Sequence, residues 1–589
     1  MNRKALSLLI AVVMLVSIVP AVSYWAPVGA SQTSPTTIQK TEEVPSVSQA
    51  HFIPGDELKR EIQRVMMSHK KNVRLIIAPD KDHAMDVYKE LAKLGRIDPI
   101  SKPKYQFIVV EMPISKVPEL ENIPGILHVW EDRTVKLEEP KPLEPGMASM
   151  LSMSSSDIKK PDMFFSIFTT HAYNTWIDYG VLGDNVTVAV LDTGVDVGHP
   201  FLQTTLDGRR KIIDVYDDTD EGLAQLYYKT NTTNGSYINV NMTVPVYWGE
   251  YAEYYGHPTW TNYHMGSYYV GGISGDEYYL GLLPERYFDL NNFSGTPYDP
   301  YNLGLFGDLS DVYPVLIVNQ SGSFVAYIDF DLDNNFTNDQ PMGLYDLTGD
   351  YVTVPTTNVD VAFRGFDWVS DTMVDLITVP AFNVSLDDFF LWYYTWGVPN
   401  YQGEGMGLAM FMWDSHGHGT HVSGTIAGVG LPTDPIFNGT YGMAPNAQLM
   451  EVKVLPGEAG FGRISWIING MFYAALHGAD VISMSLGGLA TYNDGLEDPT
   501  NFYVNLLSDW LGVTFSIAAG NDGPTLNTVG SPGDSDLAIT VGAYRSSLRW
   551  EVFWGVDGVA NTVASFSSRG PRMDGLLDPD VIAPGEDIF

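Results

Sequence analysis

Three histidines lie close together in the stretch SHGHGTHVSGT, which runs from Ser415 to Thr425. They are His416, His418 and His421. Imidazoles at this spacing could bind a zinc ion, or one of them could be the general base of a hydrolase. A catalytic zinc site needs further His, Asp or Glu ligands. The sequence holds no second histidine cluster, although carboxylates are plentiful, so both hypotheses stay open on these residues alone.

Three apolar runs each end at, or are followed by, a side chain that could take part in catalysis. Asp192 ends NVTVAVLD, Ser485 ends ISMS, and Asn521 follows LGVTFSIAAG. Continuous apolar runs are typical of strands buried in a parallel sheet, and such sheets bind ligands at the carboxyl ends of their strands. Nucleophilic catalysis needs a nucleophile, a base, a carboxylate that orients the base and a donor to the oxyanion. On that hypothesis Asp192, His418 and Asn521 would supply the last three.

The pattern of strands and helices divides the chain into regions. Alternating strands and helices after residue 170, including the helical stretch SWIINGMFYAALHG, predict a doubly wound α/β domain. Residues 73–137 predict a small α+β unit of ferredoxin-like type, followed by a linker rich in Pro, Ser and Met. Residues 203–408 are rich in Tyr, Trp, Asn, Asp and Gly, which predicts a β-rich insertion.

Composition and the first residues restrict the class of protein. The chain has no cysteine, which excludes thiol catalysis and Cys-bound zinc, and its net charge of −38 disfavours nucleic acid and anionic membranes as partners. Arg3 and Lys4 precede an apolar run from Ala5 to Val19, which predicts a signal peptide of residues 1–30. A membrane anchor is the alternative, but the run is short for a span. We therefore expect a secreted protein, with attachment to the cell envelope open, and sequons such as Asn231 and Asn383 fit export.

One acidic stretch of the predicted insertion has the spacing of a calcium loop. IDFDLDNNFTND places carboxylates at alternate positions, and alternating oxygen ligands around a tight loop are how calcium sites are built. The sequence predicts a structural Ca²⁺ held by Asp329, Asp331, Asp333 and Asp339. The alternative is an acidic turn on an exposed insertion.

Five motifs occur in a fixed order: VLDTGVD, GHGTHVSGT, SMSLGG, AAGNDGP and SFSSRGP with DPDVIAPG. Together they resemble the subtilisin-like serine proteases, the peptidase S8 family. Residues 73–137 separately resemble the propeptide of that family, an intramolecular chaperone and inhibitor of the I9 type. The insertion resembles that of the pyrolysin group within the family, on DGRRKIIDVYDDTDEG, GLLPERYFDLN and DVYPVLIVN.

This resemblance implies a fold and domain boundaries. The fold would be α/β, a subtilisin-like doubly wound parallel sheet with an N-terminal ferredoxin-like α+β propeptide and a large β-rich insertion. The signal peptide would be followed by propeptide and linker at 31–150 and by the catalytic domain at 151–589, with 203–408 inserted between the catalytic Asp and His. The partners would be protein or peptide substrates and the chain's own propeptide, with no organic cofactor and no membrane span in the mature chain.

The resemblance also implies roles for individual residues of a serine endopeptidase. Asp192 would orient His418, His418 would be the general base, and Asn521 would donate to the oxyanion. His199 and a buried His421 would have structural roles, and His416 has none assigned. Substrate would lie between two walls formed by Ser485, Leu486 and Gly487 and by Ala519 and Gly520.

The nucleophile that this family requires is not evident. The sequence has no G-T-S motif, and Ser567 and Ser568 belong to a different family segment. We expect the sequence to be part of a longer gene, with the serine beyond Phe589 and the present chain truncated before it. The alternative is a catalytically inactive protease fragment that acts as a binding or inhibitory protein.

Overall fold

The computed structural model describes residues 56–67, 70–98, 100–136, 162–248, 260–286, 311–355, 357–369, 406–434, 438–457, 461–491, 498–547 and 561–586. The predicted signal peptide, the linker and the sequon at Asn383 lie outside these residues. Within the described ranges, no helix has both the length and the apolar character needed to cross a bilayer.

The described elements form three consecutive groups. The first contains α1 (Asp56–Met66), β1 (Asn72–Pro79), α2 (Ala84–Leu94), β2 (Arg96–Ile97), β3 (Ile108–Pro113), β4 (Ile126–Glu131) and β5 (Thr134–Lys136). The second contains α3 (Asp162–Thr169), α4 (Ala172–Tyr179), β6 (Thr187–Asp192), β7 (Ile212–Asp217), β8 (Leu223–Thr230), β9 (Tyr237–Tyr247), β10 (Trp260–Tyr269), β11 (Glu277–Pro284), β12 (Val312–Gln320), β13 (Ser323–Ile328), β14 (Met342–Gly343), α5 (Tyr345–Thr348), β15 (Tyr351–Thr353), β16 (Asp360–Val369) and β17 (Met406–Met412). The third contains α6 (His418–Ala427), β18 (Gln448–Lys453), β19 (Phe461–Arg463), α7 (Ile464–Leu476), β20 (Val481–Met484), α8 (Pro499–Leu511), β21 (Thr514–Ala518), β22 (Ala538–Arg545), β23 (Thr562–Val563) and β24 (Val581–Pro584).

A parallel sheet of order β7-β18-β6-β20-β21-β22 forms the centre of the molecule, with β24 parallel and β23 antiparallel to β22. The strand β6 is a continuous apolar run because both of its faces are covered. Ala189 and Leu191 share a core with α7 and α8, whereas Val188 and Val190 pack with Ala427 of α6 on the opposite face. The sheet is therefore doubly wound at β6, as the sequence predicts.

An antiparallel sheet of order β14-β13-β12-β11-β8-β17-β16-β15 forms the insertion. A bridge between Leu344 and Phe363 links the two ends of this sheet, so that it curls back on itself. Large side chains such as Tyr279, Tyr313 and Phe411 fill one face, and the β9–β10 hairpin covers the other. Its strands run from residue 223 to 412, later at both ends than the predicted 203–408. The start is later because β7 pairs in parallel with β18 and belongs to the central sheet.

The N-terminal unit, residues 70–136, has an antiparallel sheet of order β2-β3-β1-β4 and packs on the helices of the central domain. The ring of Phe107 meets the ring of Tyr503 of α8 edge to face at 5.4 Å. The Tyr503 hydroxyl donates a 2.8 Å hydrogen bond to the carbonyl of Gln106. β5 pairs with β19, immediately before α7. The sequence pattern did not predict α1, which packs against β4.

Candidate active site

Asp192 and His418 lie side by side although a whole inserted sheet separates them in the chain. Asp192 is the last residue of β6 and is fully buried. The His418 Nδ1 atom lies 2.7 Å from Asp192 Oδ1, which also accepts a 2.8 Å bond from the Thr193 amide. A carboxylate only accepts, so Nδ1 carries the proton and Nε2 is left as the basic nitrogen of the neutral ring. This is the arrangement of a general base held in one tautomer.

Two glycines allow His418 to begin a helix directly beside β6. Gly417 precedes α6 with φ +86°, a backbone conformation that residues with a Cβ rarely adopt. A Cβ on Gly419 would lie 2.1 Å from the carbonyl oxygen of Gly194, so only glycine fits there. The GHG sequence therefore brings the first turn of α6 against the loop that follows Asp192.

Asp414 holds the loop that leads to His418, and the sequence analysis did not identify it. Its Oδ1 accepts from the amides of His416 and Gly417, at 3.1 and 2.8 Å, and its Oδ2 accepts from the amide and hydroxyl of Thr420. The Thr193 hydroxyl donates to Oδ1 at 2.9 Å. This carboxylate thus satisfies one N-terminal amide of α6, that of Thr420, much as a capping residue does, and it also holds two amides of the loop before the helix. An Asp shortly before a glycine-rich helix start was the signal that could have identified it.

The surroundings of His418 raise its pKa. Burial by itself would lower that pKa, because it disfavours the charged imidazolium. The hydrogen bond and charge of Asp192, together with the charge of Asp414, oppose burial and hold the pKa above its ordinary value. An imidazole of raised pKa is a stronger base toward a hydroxyl proton.

The other histidines of the region have different surroundings. The ring of His416 lies 6.1 Å from the ring of His418 and is tilted by 71°. His199 Nδ1 accepts from the amide of Phe201 at 3.3 Å and so caps a short 3₁₀ turn. His421 is exposed on α6, so the expectation that it is buried is wrong: three positions after His418 it faces away from the packed side of the helix. Among the described residues, the only candidate metal group of three or more is the acidic cluster of the insertion, which does not include these histidines.

The two predicted substrate walls follow adjacent strands of the central sheet. Ser485, Leu486 and Gly487 come directly after β20, and Ala519 and Gly520 come directly after β21, which pairs with β20 in parallel. Residues 530–531, which no sequence motif indicated, connect the two walls. The carbonyl of Ser531 accepts from the amide of Gly488 at 2.8 Å, and the amide of Gly530 donates to Ala519 at 3.0 Å. Asn521 follows the second wall at the same edge of the sheet.

The acidic cluster of the insertion brings together three of the four predicted calcium ligands. Carboxylate oxygens of Asp329, Asp331 and Asp339 lie within 4.8 Å of one another. Burial and the neighbouring acids raise the pKa of Asp329 to about 7 and that of Asp339 to about 8. Asp339 Oδ2 is buried and has no hydrogen-bond partner among the described residues. Asp333 lies outside the group, and its carboxylate accepts from the amide of Asn335 and from the side chain of Asn338.

The sequence is similar to those of known proteins. Residues 407–588 match the subtilase family. The chain is 35% identical to pyrolysin of Pyrococcus furiosus over 652 aligned positions, which cover 100% of this chain and 41% of that protein. The chain belongs to the subtilase family. It is also 37% identical over 206 residues to serine protease AprX of Bacillus subtilis, an alignment that covers 32% of this chain and 44% of that protein.

A solved structure, tripeptidyl peptidase 2, matches this subtilase with a TM-score of 0.45 and 19% identity, over 70% of this chain and 32% of that one. The chain spans about two fifths of the length of the curated relatives named above, 41% of pyrolysin and 44% of AprX. The family match and the parallel central sheet confirm the predicted family and the α/β fold class. The activity and substrates of the whole protein are proposals.

Proposed function

We propose that this chain is the precursor form of a secreted serine endopeptidase that hydrolyses peptide bonds of proteins. The observation that carries the proposal is the 2.7 Å contact between His418 Nδ1 and the buried carboxylate of Asp192. In this role the Nε2 atom of His418 removes the proton of a serine hydroxyl and later returns a proton to the leaving amine. Asp192 fixes the tautomer and stabilises the imidazolium that forms in between.

The remaining parts of the reaction belong to the ends of β20 and β21. A substrate strand would lie between residues 485–487 and 519–520, and backbone groups of these segments would align it. Asn521 would donate its amide to the oxyanion of the tetrahedral intermediate. Removing one such donor typically costs about 100- to 1000-fold in kcat, so Asn521→Ala should show a loss of that size with little change in KM.

We further propose that the nucleophilic serine comes from sequence that follows residue 589. Supporting this, the α6 side of the sheet is only partly covered at Ser483 of β20 and Ser516 of β21, which pair with each other. Parallel sheets are normally covered on both faces, so this area is suited to a further helix. The hydroxyls of Ser567 and Ser568 are poor substitutes, because both are buried and accept from the amides of Ala543 and Asp522.

A structural calcium ion is part of the proposal. The orphaned oxygen of Asp339 and the adjacent carboxylates of Asp329 and Asp331 are hard ligands that suit Ca²⁺. The ion would neutralise three acids that otherwise repel one another, in a protein that has no disulfide. Its role would be to stabilise the insertion; it has no step in the reaction.

The N-terminal unit would be the propeptide and the intramolecular inhibitor and chaperone of this enzyme. Its contacts with α7 and α8 support that role, because they involve buried aromatic side chains of both parts. Export through the predicted signal peptide and location outside the cell or on its envelope complete the proposal.

The experiment is hydrolysis of casein by the product of the gene read beyond codon 589, compared with its His418→Ala variant. We expect hydrolysis that requires His418, that serine-directed phosphonates abolish, and that zinc does not restore after chelation. Absence of hydrolysis by the longer product, with a correctly folded protein, would favour the inactive binding fragment. Loss to a chelator and recovery with zinc alone would favour a metalloenzyme.

A further inference from the structure

A turn at the start of the insertion contacts the loop that leads to His418. This turn, residues 217–222, connects β7 of the central sheet to β8, the first strand of the insertion, and we call it the root turn. Its first residue, Asp217, is buried and accepts from the amides of Thr219 and Gly222 at 2.8 and 3.0 Å. Arg286, just beyond β11, donates to the carbonyls of Asp220 and Leu223, both at 2.6 Å. The shape of the root turn is thereby fixed by Asp217 on one side and by Arg286 of the insertion on the other.

The root turn directs the side chain of Glu221 into the interior. Glu221 Oε2 lies 2.7 Å from Lys453 Nζ, and both side chains have no exposed surface. Lys453 is the last residue of β18, where it pairs in register with Asp192 of β6 and Asp217 of β7. The buried ion pair therefore lies at the same edge of the sheet as Asp192, one strand away.

The pair of Glu221 and Lys453 holds both neighbours of Asp414. Lys453 Nζ donates to the carbonyl of Trp413 at 2.9 Å, and the hydroxyl of Ser415 donates to Glu221 Oε1 at 3.1 Å. Asp414 between them accepts from two amides of the loop before α6 and from the amide of Thr420 in the first turn of α6. A displacement of Trp413 or Ser415 would therefore move Asp414, and with it the start of the helix that carries His418.

Glu221 also contacts the loop that follows β18. Its Oε2 accepts from the amide of Gly457 at 2.8 Å. One buried carboxylate of the insertion thus connects the loop before His418 with the loop after β18. Removing one member of a buried ion pair leaves the other charge uncompensated, which is strongly destabilising. Loss of Glu221 would therefore leave the ammonium of Lys453 without this partner.

We propose that Glu221 is a positioning residue for His418, and that the insertion supplies it. The inference rests on the proposed function for its meaning, since a positioned base matters only in catalysis. The geometry of the imidazole can nevertheless be measured in the present chain without any nucleophile. Failure of hydrolysis and failure of this inference are therefore distinguishable.

The experiment records the low-field proton resonance of the His418 Nδ1–H in the 589-residue chain by NMR, for four variants. Glu221→Ala removes all three contacts and should abolish or broaden the resonance. Ser415→Ala removes only the hydroxyl contact and should shift it by less. In Glu221→Gln the amide oxygen can still accept from Gly457 and from Lys453 while the amide nitrogen donates to the Ser415 hydroxyl. This variant leaves the charge of Lys453 unpaired but keeps the geometry, so it should retain the resonance. Asp346→Asn, which alters an insertion carboxylate 3.5 Å from Arg364, is the matched control and should leave it unchanged.

Activity of the longer gene product gives a second readout. Misplacement of a catalytic group by about 1 Å can cost about 100-fold in rate, and we expect kcat of Glu221→Ala to fall toward that value with KM nearly constant. If Glu221→Ala does not fold, Ser415→Ala decides the question. An unchanged His418 resonance in Ser415→Ala, or a resonance that moves equally in Asp346→Asn, would overturn the proposal.

Discussion

His418 Nδ1 and Asp192 Oδ1 are 2.7 Å apart although 226 positions separate the two residues. They meet because the insertion leaves the central sheet after β7 and returns to it immediately before α6. The contact raises the pKa of His418, and it makes the imidazole sensitive to each group that holds it.

Replacing Asp192 by Asn should lower the pKa of His418. The hydrogen bond to a charged acceptor is lost while burial, which disfavours the imidazolium, remains. A raised folded-state pKa stabilises the protein below the unfolded-state pKa, and this contribution disappears as pH rises through the folded-state pKa. The stability difference between wild type and Asp192→Asn should thus be larger at pH 5.5 than at pH 9. NMR titration of labelled histidines measures the pKa directly, with His477 as an internal reference; an unchanged His418 titration would contradict this.

Replacing Asp414 by Ala should destabilise the start of α6. Five hydrogen bonds to its carboxylate are lost, from His416, Gly417, Thr193 and twice from Thr420. Unsatisfied donors cost about 1–3 kcal/mol each when they stay dry, and water reaches this partly exposed loop, so a total loss of about 2–4 kcal/mol is expected. Urea unfolding provides the measurement.

The control for Asp414 is Asp276→Ala, which removes an exposed side chain that accepts from the amide of Ser321. A surface change of this kind should cost within about 0.5 kcal/mol. Equal losses in the two variants would show that Asp414 has no special role at the helix start.

Calcium should raise the melting temperature of the wild-type chain after chelation. Binding to the folded state alone stabilises by about 2.7 kcal/mol at a ligand concentration 100 times Kd. Asp339→Asn, which removes a half-buried carboxylate beside Asp329 and Asp331, should abolish the increase. Asp350→Asn, in an exposed acid that accepts from the amide of Gly343, should keep it. Differential scanning fluorimetry with CaCl₂ and with EDTA provides the test, and an increase retained in Asp339→Asn would exclude this site.

The N-terminal unit should detach when Asp132 is replaced by Ala. Asp132 accepts from the amide and hydroxyl of Ser465 at the start of α7, at 3.0 and 2.7 Å, and from Arg74 at 2.7 Å. Without it, buried donors on both sides of the contact lose their acceptor. Hydrogen exchange of α7 and α8 should become faster, whereas Lys70→Ala, which removes only the exposed ion pair with Glu131, should leave it unchanged. Equal exchange in both variants would mean that Asp132 does not hold the unit in place.

The sequence predicted the ends of the central strands well, whereas the roles of the residues there stay predictions. Asp192, Ser485 and Asn521 follow apolar runs, and parallel pairing through β6, β20 and β21 brings their strand ends to one edge of the sheet. Periodicity and strand length carry that information locally. The family motifs added His418, whose contact with Asp192 no local pattern could give.

Residues that act across the insertion could not be predicted in this way. Glu221 and Asp414 look like ordinary acids in an acidic chain, and only the folded structure places them near Lys453 and Thr193. Asp333 fitted the spacing of a calcium ligand, but its carboxylate is used within the turn. The predicted start of the insertion was early because β7 has the mixed composition of a sheet edge, with Asp214 partly exposed.

The most direct test of the account is labelling of the longer gene product with a fluorophosphonate, followed by mass spectrometry of the labelled peptide. The account predicts a single labelled serine that follows residue 589, with labelling lost in His418→Ala and strongly reduced in Asp192→Asn. Labelling that persists unchanged in His418→Ala, or its absence in the folded wild-type product, would contradict the assignment of Asp192 and His418 as the catalytic pair.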